Sequence, residues 1–258
     1  MTSPGEAITG AIRAAVGNGQ PALVGFLTAG FPSREGFVSQ LRAIGDTADV
    51  VEIGVPFSDP MADGMTIQRS SHAALAQGVT LAWILESLRA MPARPRAPLL
   101  LMSYLNPLLA YGLDRLPVAA RDAGVGGFIV PDLPYEEGEA IRRALAAEGL
   151  AMVQMVTPVT PSGRLEMLCE ASTGFVYAVT MTGTTGRNVT VPDDVLEYLD
   201  RVRTGSSVPV CAGFGIRRRT QVARLAGHVD GVVVGSALIE ALERGEDPAV
   251  FLRGLRAG

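Results

Sequence analysis

The chain has 258 residues and a formal net charge of −4, and all 22 of its basic residues are arginine. The absence of lysine excludes a Schiff base with a carbonyl substrate, a lysine-anchored pyridoxal phosphate, and a P-loop with its phosphate-binding lysine. The negative balance argues against a nucleic-acid surface, and the one dense basic run, Arg217-Arg218-Arg219, reads as a solvated helix start.

Hydrophobic residues make up 48% and charged residues 19%, a balance expected of a well-buried domain of enzyme size. No stretch is apolar for long enough to span a bilayer, so no membrane association is expected. The start, MTSPGEAITG, has neither a positive segment nor a continuous apolar one, so a signal peptide is not expected and the cytoplasm is the default location. Cys169 and Cys211 are too few for a disulfide framework and are read as packing residues.

In chain order, short apolar runs cover residues 22–29, 48–54, 97–104, 125–131, 151–157, 174–180, 208–214 and 229–235. Each is continuously apolar, as parallel strands covered on both faces require. Amphipathic segments lie between them, at 34–46, 136–149 and 217–227 among others, with Gly149 and Gly227 as helix-ending glycines. Pro192 followed by Asp193 and Asp194 marks a further helix start. The alternation predicts an α/β fold in one domain over 1–258: a closed (β/α)₈ TIM barrel with extra helices after strand 2 and room for one at the N-terminus. An open doubly wound sheet is the alternative, weakened because no GxGxxG follows the first strand. Two connections are long. Residues 54–64 precede two expected helices near 66–76 and 79–90, and 181–193 is rich in Gly and Thr. Loops after barrel strands form the catalytic face, and long ones are candidate lids.

Glu52 sits inside the second apolar run, where a carboxylate is costly unless paired or protonated. Either it meets an arginine on a helix, or it points into the barrel mouth as an acid–base group with a raised pKa. Asp59 and Asp63 follow in the loop. Both match ordinary turn chemistry, and either would serve as a second carboxylate. Glycines recur after strands 6, 7 and 8, at Gly183–Gly186, Gly213–Gly215 and Gly235-Ser236, where barrels often bind phosphate. Tight turns are the other reading of the same glycines. His72 and His228 lack metal-ligand spacing, so no metal is expected. Phe26, Leu101, Tyr104, Phe128 and Tyr177 would line an apolar pocket at the barrel mouth, with core packing the default reading for most of them.

The stretch 52-EIGVPFSDPMADGMTIQ-68 resembles the signature of the tryptophan synthase alpha chain family. In the same order, 25-GFLTAGFP-32, 102-MSYLNPLLAYG-112, 130-VPDLP-134, 177-YAVTMTGTTG-186, 213-GFGI-216 and 235-GS-236 are similar to that family through nearly the whole barrel. The resemblance implies cleavage of indole-3-glycerol phosphate to indole and glyceraldehyde 3-phosphate. It also implies a pyridoxal phosphate beta subunit as partner in an alpha2beta2 complex, and no cofactor on this chain. Carried over, Glu52 and Asp63 match the catalytic carboxylates and Tyr177 a tyrosine near the indole. Thr185 and Gly186 match the end of the lid, and Gly215, Gly235 and Ser236 the phosphate cradle. Pro56, Phe57 and Asp59, with Asn106 and Pro107, match partner-facing loops.

Two features depart from the family pattern. Met65 stands where proline is usual, and Thr184 replaces a valine of the lid. They keep open a second expectation, a stand-alone lyase that releases free indole without a beta partner.

Overall fold

Eight parallel strands close on one another, each paired with the next and the last with the first. The computed structural model describes residues 2–180, 191–213 and 215–256. The chain begins with α1 (Pro4–Gly17), β1 (Ala22–Thr28), α2 (Phe37–Gly45) and β2 (Val50–Gly54), followed by α3 (Met65–Ala76) and α4 (Leu81–Arg89). The next elements are β3 (Leu99–Met102), α5 (Leu105–Tyr111), α6 (Leu116–Asp122), β4 (Val125–Ile129), α7 (Glu139–Ala147), β5 (Ala151–Val156) and α8 (Ser162–Ala171). The barrel is completed by β6 (Val176–Val179), α9 (Asp193–Gly205), β7 (Val210–Gly213), α10 (Arg219–Leu225), β8 (Gly231–Val234), α11 (Ser236–Glu243) and α12 (Pro248–Leu255).

The helices follow their apolar spacing. In α4, Leu81, Ile84, Leu85 and Leu88 are buried, the i, i+3, i+4, i+7 stripe of a helix packed on one face. Gly149 and Gly227 follow the ends of α7 and α10 with φ of 69° and 92°, the left-handed conformation that stops a helix. The helix expected from residue 217 begins at Arg219 instead. The Arg217 and Arg218 amides are both taken by the Gln221 side chain, which holds the chain extended for two more residues.

Two apolar layers result. The inner one joins Val24, Val50, Leu100, Ile129, Val153, Tyr177, Cys211 and Val233, and Ile8 and Ile12 of α1 pack onto it. The N-terminal helix therefore lies against the barrel interior, held also by Thr9 Oγ1 donating to the Gly174 carbonyl. The outer layer lies between strands and helices and contains Leu101 and Phe128 beside Leu85, Leu108 and Leu116. Cys169 and Cys211 are buried, unpaired thiols, as packing residues would be. Among the described residues, no helix is long and apolar enough to cross a membrane.

Candidate active site

The register aligns Phe26 of β1 with Glu52 of β2, and Glu52 with Leu100 of β3. Side chains alternate across a strand, so these positions share the inner face. Glu52 is 1% exposed, and its Oε2 has no hydrogen-bond partner. Among the described residues no arginine pairs with it, so the ion-paired alternative is not the one realised. Burial, followed by the nearby Asp63 charge, pushes its carboxyl up to about 8. Near neutral pH it is a protonated acid in an apolar wall.

Asp63 reaches the same cavity from the loop after β2. Its amide donates to the Pro60 carbonyl at 3.1 Å, and Gln68 Nε2 of α3 donates to its carbonyl at 2.8 Å. The Tyr104 hydroxyl donates to Asp63 Oδ2 at 3.1 Å and accepts the Ala62 N–H at 2.9 Å. Burial pushes the Asp63 carboxyl up to about 6, and the Tyr104 bond works in the opposite direction. Asp59, equally plausible in the sequence, is exposed and takes a hydrogen bond from Ser58. Tyr104→Phe is expected to raise the Asp63 pKa further, because a donor to the ionised form is lost. A carboxyl ¹³C titration of Asp63 in both proteins measures this, and superimposable curves would remove Tyr104 from the account.

A cavity, open at its mouth, joins the two carboxyls to Phe26, Ile67, Met102, Tyr177 and Val233, and ends on Gly215, Ile216, Arg217, Gly235, Ser236 and Ala237. Tyr177 fits because residue 213 is glycine: a Cβ there would lie 2.2 Å from the tyrosine hydroxyl oxygen. One end of the cavity is acidic and apolar. The other is made of glycine backbone, the first turn of α11 and one arginine, the elements an anion site uses.

Of the residues singled out in the sequence, Phe26, Tyr177, Gly215, Gly235 and Ser236 line this cavity. Tyr104 touches it through Asp63 and lines a smaller adjoining space with Phe57 and Ser71. Leu101 and Phe128, expected in the pocket, do not line it. They are paired with each other across β3 and β4, fully buried, and packed outward among the helices. The inward residues are one position along, at Leu100, Met102 and Ile129, and Met102 is the cavity residue that the sequence reading missed. Counting in steps of two from Glu52 across the register would have found it. Ile67, Ile216 and Val233 were also missed; Ile67 and Ile216 lie within the quoted motifs, and Val233 lies within the last strand. Thr185 and Gly186 lie outside the described residues.

The loop after β2 and helix α5 after β3 are neighbours at the same rim, because their strands pair. Asp59 and Asn106 are exposed there, Phe57 and Pro107 are half-buried, and Pro56 is buried. Phe57 stacks on Tyr104 with ring centroids 5.1 Å apart. Met61 and Leu109, 93% and 50% exposed, add apolar surface to the rim. Met65 opens α3 and is exposed, at a first helical position where proline would also fit.

The remaining sequence candidates lie elsewhere. His72 Nε2 contacts the Ser58 carbonyl, and His228 pairs with Asp200 at 2.8 Å. Among the described residues no group of three His, Cys, Asp or Glu side chains is arranged to hold a metal ion.

Known proteins share both sequence and shape with this chain. The family model for the tryptophan synthase alpha chain matches residues 12–254. The tryptophan synthase alpha chain of Nitratidesulfovibrio vulgaris (strain DP4) is 46% identical over 243 residues, covering 94% of this chain and 95% of that one. The alpha chain of Bacillus mycoides (strain KBAB4) is 43% identical, covering 90% of each. A crystal structure of tryptophan synthase from M. tuberculosis, in its open form, superposes with a TM-score of 0.87 at 33% identity over 96% of both chains. The alpha subunit from Legionella pneumophila str. Paris gives 0.85 at 33% identity, again over 96% of both. The chain belongs to the tryptophan synthase alpha chain family.

Proposed function

We propose that Glu52 and Asp63 carry the reaction of this chain, a carbon–carbon lyase that cleaves indole-3-glycerol phosphate to indole and glyceraldehyde 3-phosphate as the alpha subunit of tryptophan synthase. The observation that carries this reading is the buried Glu52, whose Oε2 has no hydrogen-bond partner, sharing with Asp63 a cavity that is also lined by Gly215, Arg217, Gly235 and Ser236. The whole of 1–258 then acts as one catalytic domain, in the cytoplasm.

The chemistry needs an electron sink, and the indole ring supplies it. Protonated Glu52 gives its proton to indole C3, which turns the ring into an indolenine cation. The Glu52 carboxylate then takes the proton of the adjacent side-chain hydroxyl. As that O–H bond breaks, the aldehyde carbonyl forms, the C–C bond breaks, and its electron pair returns to the ring. Glu52 ends protonated, ready for the next substrate. Ionised Asp63 accepts the indole N–H and stabilises the positive charge that develops on the ring. Tyr177, Phe26 and Met102 pack the indole. Gly186, Gly215, Gly235 and Ser236 hold the phosphate, and Thr185 of the lid orders Asp63.

Family identity implies a beta-subunit partner. The rim formed by Pro56, Phe57, Asp59, Asn106 and Pro107 is the surface proposed for it, in an alpha2beta2 complex. Pyridoxal phosphate belongs on that partner, since this chain has no lysine to anchor it. The test is indole release from indole-3-glycerol phosphate with and without a tryptophan synthase beta subunit. A large rate increase with co-elution supports the reading. Fast turnover alone, with no complex at micromolar concentrations, would instead establish the stand-alone lyase.

A further inference from the structure

Arg217 is the one cation among the described residues that line the cavity, where Gly215 and Ser236 of α11 also lie. Its side chain is 26% exposed and makes a two-pronged pair with Glu240 of α11, Nη1 to Oε2 at 2.6 Å and Nη2 to Oε1 at 2.9 Å. Glu240 Oε1 also accepts the Thr66 hydroxyl of α3 at 3.2 Å. Gln221 fixes the segment from behind: it accepts the Arg217 N–H at 2.8 Å and donates to the Gly215 carbonyl at 3.0 Å. A guanidinium has five N–H donors, and this pairing engages two of them.

A phosphomonoester brings about 1.5 to 2 negative charges into a cavity that already holds two carboxyls. Backbone amides and a helix end supply partial charges only. Resting on the phosphate-cradle reading above, we propose that Arg217 is a specificity-determining residue for the phosphate end, restrained by Glu240 and shared between that carboxylate and the bound phosphate. Glu240 then sets affinity by competition: it orients the fork but also neutralises it. The bidentate geometry suits phosphate as well as carboxylate, so exchange between them needs little movement of the arginine.

A purely structural ion pair and a shared one make opposite predictions. If the pair only braces α11 against the Arg217 segment, removing either partner loosens the site, and both changes weaken phosphate binding. If Arg217 serves the ligand, Arg217→Ala weakens it and Glu240→Gln strengthens it. The experiment is calorimetric titration of the full chain with glycerol 3-phosphate, and separately with indole, for both variants and for Ser236→Ala. We expect Arg217→Ala to weaken glycerol 3-phosphate by about tenfold, as loss of a charge-assisted hydrogen bond does. Glu240→Gln should tighten it severalfold, and indole affinity should change in neither. Equal weakening by both variants, or no change in either while Ser236→Ala weakens binding, would overturn the proposal and leave the cradle standing. Insensitivity of all three variants would remove the cradle reading as well.

Discussion

Glu52→Gln is expected to lower indole formation by about a thousandfold, the scale of a lost acid–base group, while making the protein more stable at alkaline pH. The first effect follows because glutamine fills the same space but cannot move a proton. The second follows from linkage. The folded carboxyl titrates at about 8 against an ordinary 4.5, so between these values the folded state keeps a proton that the unfolded state has released. Stability from this group is therefore complete below pH 4.5, falls as pH rises, and is fully lost above about 8. A shift of this size corresponds to roughly 2–5 kcal/mol for a group this deeply buried. Calorimetry at pH 5, 7 and 9 should show the variant's Tm advantage growing by about 5–10 °C across the range. Parallel Tm profiles, or retained activity, would contradict the assignment. The wild-type residue is kept at a cost in stability that its chemistry explains.

Asp63→Asn should also cost orders of magnitude in turnover, and its pH behaviour is the sharper test. In the proposed mechanism Glu52 works protonated and Asp63 ionised, so the wild-type profile should be a bell with limbs near 6 and 8. These are macroscopic values of an interacting pair. The asparagine variant removes the acidic limb that belongs to Asp63. It also removes a negative charge that raises the Glu52 pKa, so the remaining alkaline limb should move down. The substrate phosphate ionises near 6 as well, but the variant leaves that ionisation in place. A steady-state profile from pH 5 to 9 separates the two. An alkaline limb that stays fixed or moves up would show that the carboxyls do not interact across the cavity.

The missing lysine bears on both predictions. A barrel that breaks a C–C bond without a lysine Schiff base must find its electron sink elsewhere. In the proposed mechanism the substrate's indole ring takes that role, beside two carboxyls of raised pKa. Met65 does not disturb this arrangement. It lies on the surface at the start of α3, while the Asp63 loop is fixed by Tyr104, Gln68 and the Pro60 carbonyl.

By itself, the sequence determined the order of eight strands, the helices between them, and the presence of a carboxylate in a strand that has no polar face. Those features are local: continuous apolar runs, 3.6-residue periodicity, and glycines where helices stop. The family motifs added the pairing of Glu52 with Asp63. The phase of β3 and β4 was not legible, because a strand buried on both faces shows no alternation; Leu101 and Phe128 look the same as Leu100 and Ile129 until the register fixes which side faces the cavity. The motifs already set Asp63 apart from Asp59; the physical difference between the two turn aspartates is tertiary, since the Tyr104 hydroxyl, from the segment after β3, donates to Asp63. The same holds for Arg217. In the sequence it is one of three adjacent arginines, and what sets it apart is a carboxylate 23 positions later that folding brings to 2.6 Å. Local patterns fix elements; closure of the barrel decides which side chains meet, because those contacts join strands and helices far apart in the chain.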